Sequence, residues 1–141
     1  MRLYIAGPMT GIKDFNIPAF HKAAKELRAM GHEVFSPAEK DEETYGVDLF
    51  KGSGDPDKIG GMDFKRVVLG IDLAWICDNA QGIALMEGWE KSTGASAESA
   101  VANALDIPRF IQVDLGWLEI DKTGQLTGKS IPHGQHQTYQ P

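Results

Sequence analysis

The alternation of strand and helix constrains this chain more than any other feature. A short apolar run ends in a glycine- or proline-bearing turn, and an amphipathic helix follows. Leu3-Tyr4-Ile5-Ala6 runs into Gly7-Pro8-Met9-Thr10-Gly11, and residues 83–86 run into Gly88-Trp89-Glu90-Lys91-Ser92-Thr93-Gly94. Continuous apolar runs of this length are strands buried on both faces. Strands alternating with helices imply right-handed βαβ units. The expected fold is therefore α/β, a parallel sheet with helices on both faces.

The order of elements follows. Asn16 is placed to cap a helix, with Pro18 in its first turn; Phe20, Ala23, Ala24, Leu27 and Met30 share one face, and Gly31 suits the C′ position. Residues 33–36 read as the second strand, closed by Pro37. Residues 38–61 break the pattern and read as a long loop, either a lid over a ligand or a disordered segment. Phe64, Val67, Val68, Ile71 and Trp75 then recur at helical spacing, with Leu69, Leu73 and Ile76 as a second stripe. A helix apolar on two sides needs two partners, so one stripe is expected to meet another subunit. Residues 83–86 form the third strand, a helix spans 95–105, and residues 110–113 form the fourth strand. A hairpin closes the domain: 117–120, a turn at Asp121-Lys122-Thr123-Gly124, then 125–127. The domain is expected over 1–127, with a flexible polar tail at 128–141.

Composition bounds the function. A net charge of −6 without a cluster of Lys and Arg argues against a nucleic-acid partner. No apolar run approaches the length of a membrane span, and no leader pattern precedes the first strand. The single cysteine, Cys77, excludes an internal disulfide. A soluble, cytoplasmic protein is expected. No metal is expected, since His133-x-x-His136 lacks a matching Cys or acidic pair. No P-loop or intact Gly-x-Gly-x-x-Gly is present, and no cofactor is expected.

Parallel sheets bind ligands beyond the C-terminal ends of their strands. The unusual sequence, in the loops 7–11, 36–61 and 87–94, falls on that edge. Ser92, Thr93, Gly94 and Ser96 stand where a helix begins, and backbone amides there suit a phosphate; one of the hydroxyls also serves as an ordinary cap. Glu98 falls in the first turn of that helix, on the flank of its apolar stripe. It either complements the helix dipole or faces the ligand. Asp72 flanks a stripe of the preceding helix, where a carboxylate is paired, protonated or functional. Tyr4 is a core residue or sends its hydroxyl to the site. Two half-buried carboxylates at one ligand edge suit glycosidic-bond chemistry, one attacking the anomeric carbon and one handling a proton.

Several separated motifs agree in order with a known pattern. Tyr4-Ile5-Ala6-Gly7-Pro8-Met9-Thr10-Gly11, the Asp14-Phe15-Asn16 segment to Phe20, Ser36-Pro37-Ala38-Glu39, and Gly88 through Glu98 resemble an uncharacterised domain family frequent in phage genomes. That family in turn resembles the nucleoside 2-deoxyribosyltransferases and the 2′-deoxynucleoside 5′-monophosphate N-hydrolases. The likeness covers roughly residues 2–113. It implies a flavodoxin-like (Rossmann-like) sheet, a homo-oligomer of two or more copies, and cleavage of the N-glycosidic bond of a deoxynucleoside or its monophosphate. Glu98 falls on the position of the nucleophile that attacks C1′, and Asp72 on the second acidic residue. Tyr4, Gly7, Met9, Thr10 and Gly11 fall on the loop lining sugar and base. Ser92 stands where the transferases carry an aspartate and the hydrolases a phosphate-contacting serine, so Ser92 and Gly94 imply a monophosphate. The hydrolases' arginine in the first loop is Thr10 here. The alternatives are a nucleoside deoxyribosyltransferase and a non-catalytic nucleotide-binding or sensing module.

Overall fold

Leu3, Tyr4, Ile5 and Ala6 have no exposed surface at all, as expected of a strand covered on both faces. They lie in β1 (Arg2–Ala6) of a computed structural model that describes residues 1–134. The other strands are β2 (Glu33–Phe35), β3 (Gly82–Leu85), β4 (Arg109–Val113), β5 (Gly116–Ile120) and β6 (Leu126–Ser130). They form one sheet in the order β2-β1-β3-β4-β5-β6. The β1–β2, β1–β3 and β3–β4 pairs are parallel; β4–β5 and β5–β6 are antiparallel. The fold is the expected α/β sheet with a C-terminal hairpin.

Four helices cover the sheet: α1 (Ile17–Ala29), α2 (Pro37–Tyr45), α3 (Gly61–Asn79) and α4 (Thr93–Ala104). Successive strand residues point to opposite faces. Leu3, Ile5, Ala84 and Met86 pack with Phe20, Ala23, Ala24 and Leu27 of α1. Tyr4, Ala6, Ile83 and Leu85 pack with Ile76 of α3 and with Ala95 and Ala102 of α4. The face that receives α3 and α4 is therefore the face that Tyr4 looks into.

Three sequence expectations change. Residues 38–61 are not one long loop. Ser36 occupies the N-cap position and Pro37 opens α2, where its fixed φ suits a first turn. Ala38 and Asp41, three apart, share the buried face. Two of the acidic residues tie α2 to α1, Glu39 to Arg28 at 2.6 Å and Glu42 to His21 at 2.7 Å. Two short 3-10 turns, Val47–Phe50 and Pro56–Ile59, complete the segment.

Asn16 precedes α1 but does not cap it. Its φ is +62°, and its side-chain amide donates to the carbonyl of Pro8 at 2.9 Å instead. Pro18 does sit in the first turn.

The polar tail expected from Gly128 lies partly in the fold. Gly128 and Ser130 belong to β6, and Ile131 is buried in the core beside Trp117, to whose carbonyl its N–H donates at 2.9 Å. The rest of that tail, 135–141 with His136, lies outside the described residues. No described helix is long and apolar enough to cross a membrane.

Candidate active site

Tyr4 sits mid-strand on the side of α3 and α4, and those helices bring Asp72 and Glu98 to it. All three side chains are buried. The Tyr4 hydroxyl donates to Oε2 of Glu98 at 2.5 Å. Ser92 caps α4, its Oγ accepting from the Ala95 N–H at 3.2 Å. This cap starts the helix at Thr93, two residues earlier than expected, so Glu98 lies in the second turn and not the first. There the helix dipole has little hold on it. The plain reading of Glu98 as a dipole complement loses its basis, and its burial calls for another reason.

Burial pushes the Glu98 carboxyl up to about 8. The Tyr4 hydrogen bond pulls it back, while Asp72 and Asp41 push it further. Burial likewise raises Asp72 to about 7, with Tyr4 opposing. The Tyr4 phenol is itself raised, first by burial and then by the charges of Glu98 and Asp72. Titratable groups pushed from their ordinary range by burial and by each other, beside a cleft, make this cluster a candidate functional site.

The cleft is a cavity of about 1010 Å³ at the C-terminal edge of the sheet, at the upper end of ligand-pocket sizes. Tyr4, Gly7, Met9, Thr10, Asp72, Ser92, Gly94 and Glu98 all line it. Gly11 does not: its N–H donates to the Gly54 carbonyl at 2.8 Å and is no longer free for a ligand. A Cβ on Gly7 would lie 2.9 Å from that of Met86, so the close approach of the β1 and β3 ends requires glycine there. Glu87 and Glu90 are exposed, as expected.

The first loop is held in an uncommon shape. Asp14, Phe15 and Asn16 have φ of 53°, 53° and 62°, which costs each residue on the order of 1–3 kcal/mol. A strap from residues 52–54 supports them. The Asp14 N–H donates to the Gly52 carbonyl at 2.7 Å, and the Gly52 N–H to Asp14 Oδ1 at 2.8 Å. The shape turns Phe15 inward, edge-on to Phe50 with centroids 5.9 Å apart. Both rings line the cavity, as does Phe64.

Sequence reasoning missed two polar residues here. Lys65 of α3 reaches the hydroxyl of Thr93 at the start of α4 and lines the cavity. Asp41 of α2 is buried and also lines it. The only signal for Asp41 was Ser36-Pro37 as a helix start, which would have put it on the Ala38 face. Among the described residues no group of three or more His, Cys, Asp or Glu is disposed to hold a metal ion.

Comparison with known proteins adds one partial likeness. Residues 1–54 match a family described as a domain of unknown function (DUF4406). That stretch holds β1, the first loop, α1, β2 and α2 with Asp41; Asp72, Ser92, Gly94 and Glu98 lie beyond it. No curated protein matches the chain. No solved structure matches it either.

Proposed function

We propose that this protein cleaves the N-glycosidic bond of a 2′-deoxynucleoside 5′-monophosphate, with Glu98 as the nucleophile. The observation that carries the reading is the buried Glu98 carboxyl, gripped by Tyr4 at 2.5 Å inside a nucleotide-sized cavity. An ionised Glu98 attacks C1′ through an oxocarbenium-like transition state as the base leaves, and water then frees the sugar phosphate. The phenol O–H fixes one carboxylate oxygen and leaves the other to react. Asp72, beside the same hydroxyl, is the second carboxyl of the pair.

Ser92, Gly94, the amides opening α4 and the ammonium of Lys65 together suit a 5′-phosphate. The outward face of α3, with Val67 and Ile71 exposed, suits a second copy of the chain. Cys77, unpaired and exposed, fits a reducing, cytoplasmic setting.

The test is to incubate the protein with each deoxynucleoside monophosphate and separate free base by chromatography. Wild type should release base, and Glu98→Gln should be slower by about 10³-fold or more. Full turnover by Glu98→Gln would remove Glu98 as nucleophile. Binding of nucleotide without release by wild type would leave a sensing module. Adding a second base distinguishes hydrolysis from transfer, because only transfer yields a new nucleotide.

A further inference from the structure

We propose that Asp41, at the β2 end of the cavity, meets the departing base and gives it the proton it needs to leave. The proposal rests on reading the cavity as a deoxynucleotide site. Asp41 is 6% exposed and lines the cavity. Among the described residues its carboxyl has no hydrogen-bond or ion-pair partner, whereas Asp72 has the Tyr4 hydroxyl beside it. The carboxyl oxygens are not sealed in the core, since among the described residues only Ser36 Oγ is a fully buried polar side-chain atom without a hydrogen-bond partner; they are open to the cavity that Asp41 lines, where a ligand group would be their partner.

Position assigns the ligand group. The strand order β2-β1-β3 sets three stations along the binding edge. Ser92, Thr93 and Lys65 stand at the β3 end; Tyr4, with Glu98, stands at β1; Asp41 stands at α2, after β2. Neighbouring strands are about 4.8 Å apart, so the β2 and β3 ends of this edge are roughly 10 Å apart. A nucleotide with its phosphate at Ser92 places its sugar over Glu98 and its base toward Asp41. Phe50 and Phe64, which line the cavity, both meet Tyr45 of α2, which suits a flat aromatic ring there.

The carboxyl is also in the right form. Burial, and then the charge of Asp72, push Asp41 up to about 7, so a large share is protonated at neutral pH.

The step balances. Glu98 forms a bond to C1′, the C1′–N bond breaks, and its electron pair stays on the base. The Asp41 proton moves to the base, leaving a carboxylate. Water then adds its hydroxyl to C1′, frees Glu98, and returns its proton to Asp41.

The experiment compares Asp41→Asn with wild type and Glu98→Gln on two substrates. One carries an ordinary base. The other carries a base that leaves without protonation: 7-methylguanine, or 5-bromouracil where wild type prefers pyrimidines. Asp41→Asn keeps size and removes the proton. Loss of a proton donor costs about 10²–10⁴-fold, so kcat on the ordinary base should fall by about that much. On the activated base it should fall less than about tenfold, and the alkaline limb of the wild-type pH profile should vanish. Glu98→Gln should be slow on both. Equal slowing of the two substrates by Asp41→Asn, or no slowing, would overturn the role of Asp41 and leave the glycosidase intact. No release of either base by wild type would overturn both.

Discussion

The phenol of Tyr4 and the carboxylate of Glu98 are 94 residues apart in sequence and 2.5 Å apart in space. The bond stabilises the ionised carboxylate against burial that favours the neutral acid. A hydrogen bond to a charged group contributes about 1.5–3 kcal/mol, or roughly one to two pH units of titration. On a base that leaves without protonation, where Asp41 need not supply a proton, activity that needs ionised Glu98 should climb with pH through about 8 in the free enzyme and reach a plateau. Tyr4→Phe should move that limb upward by about one to two units and leave the plateau much less changed. A profile of kcat/KM against pH checks this, and an unmoved limb would mean the phenol does not tune Glu98.

Three buried carboxyls line the cavity, and each titrates higher folded than unfolded. Asp41 and Asp72 rise from 3.8 to about 7, and Glu98 from 4.5 to about 8. Between those limits the native state holds more protons than the unfolded chain. Stability from these groups is therefore full below about pH 4 and is lost as pH rises through 7 to 8. Asp41→Asn should flatten that fall. Its Tm should exceed that of wild type at pH 8.5 by roughly 2–8 °C, for about 1 kcal/mol, with a smaller difference at pH 5. Thermal melts at the two pH values decide it; equal differences at both would show that Asp41 is not held neutral.

What the sequence revealed divides along physical lines. The strands were legible because burial on both faces forces continuous apolar runs, as in residues 3–6. Asp72 and Glu98 were visible as carboxylates flanking apolar stripes. Asp41 was hidden because it lies in the run Glu39-Lys40-Asp41-Glu42-Glu43, where charge masks a helix with one narrow buried face. The strap was hidden for another reason: its bonds join residues 11–14 to 52–54, and no local pattern encodes such a pairing. The start of α4 was misplaced by two residues because Ser92, Thr93 and Ser96 are all good caps, and only the Ala95 N–H shows which one acts.

Lys65 should matter for phosphate and little else. It stands beside Thr93 at the β3 end of the binding edge, whereas Glu98 stands with Tyr4 at β1. Lys65→Ala should raise KM for a deoxynucleoside monophosphate by about tenfold, the equivalent of about 1.4 kcal/mol. The kcat/KM for the matching nucleoside, which has no phosphate, should hardly change. Paired kinetics on the two substrates test this; equal losses on both would place the phosphate elsewhere.

Gly54 holds the strap that shapes the first loop. Its φ is +81°, and a Cβ there would lie 2.2 Å from the Ile12 carbonyl oxygen. Gly46 has a similar φ of +88° with nothing within 4 Å of an added Cβ. Both alanine substitutions carry a backbone cost of about 1–3 kcal/mol, but only Gly54→Ala forces the strap away from the loop. That breaks the bond from Gly11 to Gly54 and frees the left-handed run at Asp14, Phe15 and Asn16 to relax. Phe15 then leaves Phe50, and the cavity wall opens. Gly54→Ala should raise KM several-fold and speed amide exchange at Gly11 and Asp14. Gly46→Ala should lower Tm by a similar amount with KM and exchange at those two amides unchanged. If the two variants behave alike, the strap contributes stability but does not shape the ligand wall.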